Sequence, residues 1–277
     1  MIKRICRTFV ISAVVLLFLW STGHAQELDL NSEAAVKLQK IIAGEQRTPA
    51  YAKRDVYRHP LETLLWFGVR DDMTVVEIFP GGGWYSEILA PYLKENGTYY
   101  AAGYDAESKV RFFRRGAKQL KKKFAADPEN YAKAIITELG PPNKTEIAPE
   151  GSADMVLTFR NVHNWMSAGT DLAVYEAMYK ALKPGGVLGL IEHRGRADVP
   201  QDPKAKSGYV NEEYVIQQVE KVGFKLLGKS EINANPKDTK DYKKGVWTLP
   251  PTLRGRDKEK YLAIGESDRM TLKFVKP

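Results

Sequence analysis

Residues 75–89 read VVEIFPGGGWYSEIL: an apolar run closing on an acidic residue, three consecutive glycines, then an aromatic pair opening a helix-like pattern. The spacing predicts a buried strand over 74–79 and a helix over 84–93 with Ile88, Leu89 and Leu93 on its inner side. A strand that feeds straight into a helix through Gly81, Gly82 and Gly83 lets main chain approach a ligand closely, with the unpaired amides of the helix start aimed at it. A ribose-binding pattern also needs an acidic residue about 20 positions on, at the end of the next strand. Asp105 stands there, after the strand expected over 98–104.

Outward from this motif the elements alternate. Helices are expected over 31–42 and 50–67, the second interrupted at His59-Pro60 because proline restricts the residue before it. A basic helix is expected over 109–123, where Val110, Phe113, Ala117, Leu120 and Phe124 recur at helical spacing. Strands follow over 134–139 and 153–159, then a helix over 171–182 with Leu172, Tyr175, Met178 and Leu182 inward. A strand over 186–192 is entered through the turn Lys183-Pro184-Gly185. Asn211 reads as the cap of a helix carrying Val215, Val219 and Val222, and 224–232 and 270–275 read as the last strands. Such alternation implies parallel pairing with helices on both faces, a three-layer α/β domain. Ligands then bind beyond the carboxyl ends of the strands. The segment 233–266 is long for a connection and reads as a functional insertion or lid.

Composition sets the remaining bounds. The 277 residues are 43% hydrophobic and 27% charged, enough for one well-buried core. Lys3, Arg4 and Arg7, the apolar run from Phe9 to Trp20 and the small residues Gly23 and Ala25 read as a signal peptide over 1–25. Its apolar run is shorter than the roughly 20 residues a membrane span needs, so cleavage is preferred to an uncleaved anchor. The expectation is a periplasmic or secreted protein without stable membrane insertion after cleavage. The one cysteine, Cys6, lies in that segment, so disulfides, cysteine nucleophiles and thiolate metal sites are excluded from the rest of the chain. The net charge of +8 becomes +5 without the three leader cations. This mild excess, with no recognition motif, speaks against a nucleic-acid partner. The expected organisation is a leader (1–25), a helical extension (26–60) and a ligand-binding domain (61–277).

With these residues in place, the chain resembles the class I S-adenosylmethionine-dependent methyltransferases from about Leu61 to Pro277. The acidic strand end and glycine loop match Glu77 to Gly83, although Phe79 stands where the first glycine is usual. The second-strand acid matches Asp105, the fourth strand matches 153–157 (ADMVL), and the turn into the fifth matches 182–186 (LKPGG). The resemblance implies a Rossmann-like, mostly parallel seven-stranded sheet with its last strand antiparallel. It implies S-adenosylmethionine as cofactor, held by Glu77, Pro80, Gly81, Gly82, Gly83, Trp84 and Asp105. More narrowly, the chain looks like a bacterial group of exported methyltransferases in which a glycine loop running into Trp84-Tyr85 accompanies Arg54-Asp55 and Arg58-His59-Pro60. A NAD-binding reading shares the ribose logic but lacks the G-x-G-x-x-G spacing.

Methyl transfer asks the protein to align an acceptor and, where that acceptor is protonated, to remove a proton. The loop 159–165 (FRNVHNW) sits at the expected ligand edge and is similar to an Arg-Asn-Val stretch of quinone methyltransferases. His163 is the candidate base, because imidazole titrates near neutrality. Arg160, Asn161 and His193 are the other catalytic candidates, and Trp84, Tyr85 and Trp165 are placed to meet a sulfonium or stack on an acceptor. His193 with Arg194 suits an anionic substrate or a solvated edge. His59, His163, Glu192 and His193 offer metal-ligand chemistry, but their spacing imitates no established motif and no metal is expected. Two functions follow: a methyltransferase acting on a small-molecule acceptor, or an exported ligand-binding module of the same fold without turnover.

Overall fold

The computed structural model describes residues 28–277. The expected leader and Cys6 lie outside them. Among the described residues no helix is long and apolar enough to cross a membrane.

Apolar residues at successive positions of a strand face opposite sides of a sheet, so continuous apolar strands need cover on both. That cover is present. The strands are β1 (Thr74–Ile78), β2 (Thr98–Tyr104), β3 (Ile135–Leu139), β4 (Ala153–Phe159), β5 (Leu182–His193), β6 (Lys225–Ser230) and β7 (Arg269–Val275). They form one seven-stranded sheet in the order β3-β2-β1-β4-β5-β7-β6. β1 to β5 pair in parallel, and β7 lies between β5 and β6, antiparallel to both.

The helices are α1 (Glu33–Ile42), α2 (Pro49–Ala52), α3 (Asp55–Arg58), α4 (Pro60–Phe67), α5 (Ser86–Leu93), α6 (Arg111–Ala126), α7 (Pro128–Tyr131), α8 (Val162–Ala168), α9 (Asp171–Ala181), α10 (Glu212–Lys221) and α11 (Lys258–Ile264). Val76, Val156 and Leu188 pack in one buried cluster with residues of α8, α9 and α10, while Val75, Met155 and Leu157 pack in a second with residues of α1, α4, α5 and α6. The alternation predicted for the strands is thus a physical division of the core into two layers.

Several expectations are corrected. The helix expected over 50–67 is three short ones, because the chain breaks after Ala52 as well as at His59, which is left-handed (φ 41°) ahead of Pro60. The loop expected over 159–165 contains the first residues of α8. Leu172 is exposed, because the buried stripe of α9 begins at Val174 and Leu172 falls outside it. Asn211 precedes α10 but makes no side-chain cap, because its amide is turned to Val199, whose carbonyl accepts from Nδ2 at 2.8 Å.

Candidate active site

The first strand ends as the glycine pattern requires, with one substitution that alters its walls. Phe79 adopts a left-handed backbone (φ 46°), which most residues with a Cβ avoid. Its ring stacks on Tyr104 at 4.5 Å between centroids and tilts against Trp165 at 6.3 Å. The three glycines do different things. Gly81 (φ 61°) has only the Phe79 carbonyl within 4.0 Å of where a Cβ would sit, so this main chain is free to meet a ligand. At Gly82 a Cβ would come within 2.2 Å of the Tyr51 hydroxyl, and at Gly83 within 2.9 Å of Lys123. Those two positions therefore serve close packing by the chain's own side chains.

Glu77, expected to face the cofactor, lies at the cavity wall but is 2% exposed and accepts hydrogen bonds from Ser86 (2.9 Å) and from Tyr99. Burial pushes its carboxyl up to about 7, against the lowering effect of those two hydroxyls. It ties β1 to α5 and β2. Trp84 donates its indole N–H to the Tyr51 carbonyl at 3.0 Å and has the guanidinium groups of Arg47 and Arg58 within 5.0 and 4.7 Å of its ring. Tyr85 stacks on Phe159.

Two cavities open along this edge and share Phe79, Tyr104 and Asn164 in their walls. The first, about 340 Å³, is lined by Pro80, Gly81, Gly82, Trp84, Arg160, Asn161, His163 and His193 among others. The second, about 210 Å³ and mostly apolar, contains Asp105, Leu139, Trp165 and Val174. Asp105 accepts from Lys144 Nζ (2.6 Å) and from the amide of Glu107 (2.9 Å), both on Oδ1. These bonds hold its carboxyl below the usual carboxylate range and leave Oδ2 free to accept.

At the far side of the first cavity, α8 and the end of β5 bring His163, Glu192 and His193 together. Glu192 is fully buried and accepts from the amides of His163 (3.2 Å) and His193 (2.7 Å), and its Oε1 lies 3.1 Å from His163 Nδ1. A carboxylate so placed favours the imidazole tautomer with hydrogen on Nδ1, which leaves the Nε2 lone pair as the base. His193 contacts Ser267 Oγ through Nδ1 at 2.5 Å. Burial, and then the neighbouring His163 and Arg160, hold His193 well below the ordinary histidine range, so it is neutral at pH 7. The ligand atoms of these three residues lie within 4.8 Å of one another, a spacing at which an ion can be held. Glu192 already accepts three hydrogen bonds as it stands. His59, the fourth residue of the sequence-derived set, lies apart, in a separate groove with Val56 and Tyr57.

Asn161 and Arg194 have structural partners. Asn161 Nδ2 donates to the Ile78 carbonyl (3.0 Å) and to Thr158 Oγ1 (3.3 Å), joining the ends of β1 and β4. Arg194 is engaged by Asp268, Glu231 and Glu212 and is not a wall of the cavity. Glu266, Ser267, Arg269 and Trp247, which spacing alone did not single out, do line it. The polar run Glu266-Ser267-Asp268-Arg269 just ahead of an apolar strand was the available signal. The segment 233–266 supplies Val246, Trp247, Pro250, Pro251, Thr252 and Glu266 to this wall, so the insertion is part of the site.

No protein-family model matches this sequence, and no curated protein matches it either. Solved structures do match in shape. A SAM-dependent methyltransferase from Aquifex aeolicus superposes with a TM-score of 0.52 over 87% of this chain and 98% of its own, at 16% identity. A putative sarcosine dimethylglycine methyltransferase from Galdieria sulphuraria gives 0.52 over 82% and 86%, at 11% identity. The [4+2]-cyclase SpnF gives 0.50 over 88% and 93%, at 14% identity. At such identities the likeness is one of fold, and the fold carries more than one reaction. With its sheet order, its antiparallel seventh strand and these neighbours, the chain has the Rossmann-like fold of the class I S-adenosylmethionine-dependent methyltransferases.

Proposed function

We propose that this protein is an S-adenosylmethionine-dependent methyltransferase acting on a small-molecule acceptor. The observation that carries the reading is the pair of adjoining cavities at the carboxyl edge of the sheet. Asp105, with one carboxylate oxygen unbonded, lines one, and Gly81 with its open main chain and His163 with its carboxylate-bound imidazole line the other. S-adenosylmethionine, when bound, supplies a methyl group activated by a sulfonium.

The chain's own residues fit that group. Asp105 Oδ2 suits a ribose hydroxyl, and the apolar walls formed by Leu139, Trp165 and Val174 suit an adenine ring. Gly81 leaves room for the methionine end. His163, held by Glu192, is positioned to take a proton at Nε2 from an acceptor in the first cavity. Phe79 favours the second reading, a ligand-binding module without turnover, because an aromatic ring stands where the family's loop has glycine.

Calorimetric titration with S-adenosylmethionine and S-adenosylhomocysteine tests the proposal, and the absence of binding to both at millimolar concentration sinks it. Asp105→Ala is expected to weaken adenosylhomocysteine binding roughly ten- to a hundred-fold, the loss of a hydrogen bond to a charged group worth about 1.5–3 kcal/mol. Its melting temperature should stay close to that of the parent. An unchanged affinity removes the ribose assignment.

A further inference from the structure

The first cavity is more cationic than alignment of a methyl acceptor requires. Arg54, Arg58, Arg160 and Arg269 all line it, and one carboxylate, Glu266, makes ion pairs with three of them. Arg160 is outside that set. Its guanidinium has no hydrogen-bond or ion-pair partner among the described residues, and its backbone is left-handed (φ 62°). Arg54 Nη2, Arg58 Nη2 and Arg269 Nε are buried without a hydrogen-bond partner. A buried donor left unpaired carries a penalty of about 1–3 kcal/mol, and a charged one more. Those three atoms are closed to solvent, so the unpaired guanidinium left open to a ligand's acceptor atoms at this wall is that of Arg160.

The charges point the same way. Glu77 and Glu192 are further carboxylates at this edge, and counting both as ionised together with Glu266 still leaves one of the four guanidinium groups uncompensated. Burial, and then the like charge of Arg269, lower the Arg160 pKa to about 10, which records the same crowding. S-adenosylmethionine does not relieve it. Its carboxylate and ammonium cancel, and its sulfonium adds a further positive charge to a site that already has an excess.

We propose that the methyl acceptor is an anion, a carboxylate or phosphate whose charged end seats against Arg160 and Arg58 while its nucleophile faces His163. The proposal rests on the methyltransferase reading and names the class of its substrate.

The test titrates the purified chain, free of cofactor, with inorganic phosphate and separately with succinate. Ionic strength is held constant with sodium chloride, and binding is followed by calorimetry and melting temperature. Saturable binding of one equivalent is expected for at least one probe, and the tighter of the two identifies the acceptor's charged group. Arg160→Gln is expected to weaken that binding at least ten-fold, and the anion-free variant is expected to melt above the parent because a crowded like charge has gone. The proposal is overturned if the parent binds neither anion. It is also overturned if Arg160→Gln binds as tightly as the parent, whatever its melting temperature. Adenosylhomocysteine binding by the parent is measured alongside. Its absence, with anion binding retained, removes the methyltransferase reading and the role of acceptor with it, and leaves an anion site.

Discussion

Replacing Glu266 by glutamine is expected to destabilise the chain by about 3–5 kcal/mol, the loss that follows when one partner of a buried ion pair is removed. Glu266 is 2% exposed and answers Arg54, Arg58 and Arg269 at once. Glutamine keeps the shape but presents an amide NH2 to guanidinium groups that need an acceptor. Burial alone would raise the Glu266 carboxyl, yet Arg269 and Arg58, with Arg54 donating to it, hold it well below the usual range. A carboxyl depressed on folding adds stability above its unfolded value, near 4.5, and that stability is lost as the pH falls through its folded value. The parent should therefore weaken in acid through this group, and the variant should lack that component. Urea unfolding of both proteins from pH 3 to pH 8 measures it. A difference under about 1 kcal/mol at pH 7 would show that the three arginines do not depend on Glu266.

The opposite sign is expected at Glu77. Burial pushes its folded carboxyl up to about 7, from an ordinary value near 4.5. The stability attached to it is complete below 4.5 and is lost as the pH rises through 7. Across that window the loss approaches about 3 kcal/mol, at 1.36 kcal/mol per unit. Glu77→Gln keeps an oxygen for Ser86 and Tyr99 and removes the titration, with the amide NH2 at the cavity wall. Its advantage over the parent should be near zero at pH 4 and should grow to about 3 kcal/mol by pH 8, roughly 6–12 °C in melting temperature. A variant that is less stable than the parent at pH 8 would mean that the ionised carboxylate is the form the fold uses.

These two acids show what the sequence does and does not disclose. Glu77 closes an apolar run and precedes a glycine triplet, so its place at a strand end was legible from local spacing. Its partner Tyr99 was not, because only strand pairing brings β2 beside β1. The strands were read correctly for the same local reason, apolar runs bounded by turn residues. By contrast α8 has only seven residues, too few to display a periodic face, and Asn161 ahead of it makes no cap. His163 was identified as a base from residue type and position. The carboxylate that orients it comes from β5 and follows only from the β4–β5 register. The arginine cluster was the least legible feature. Residues 54, 58, 160, 266 and 269 form no spacing pattern, and they meet because β7 runs antiparallel, which starts it at the edge where β5 ends.

The contact of Arg54 with Glu266 joins positions 212 residues apart. On a ribosome Arg54 and Arg58 emerge long before the acid that answers them. The glycine loop can form in the nascent chain, since strand and helix there are neighbours, but the arginines lack the Glu266 counter-charge until the chain leading into β7 is in place. The proposed anion site therefore needs β7 in place, and a chain halted before β7 should carry the glycine loop without Arg269 at the cavity wall.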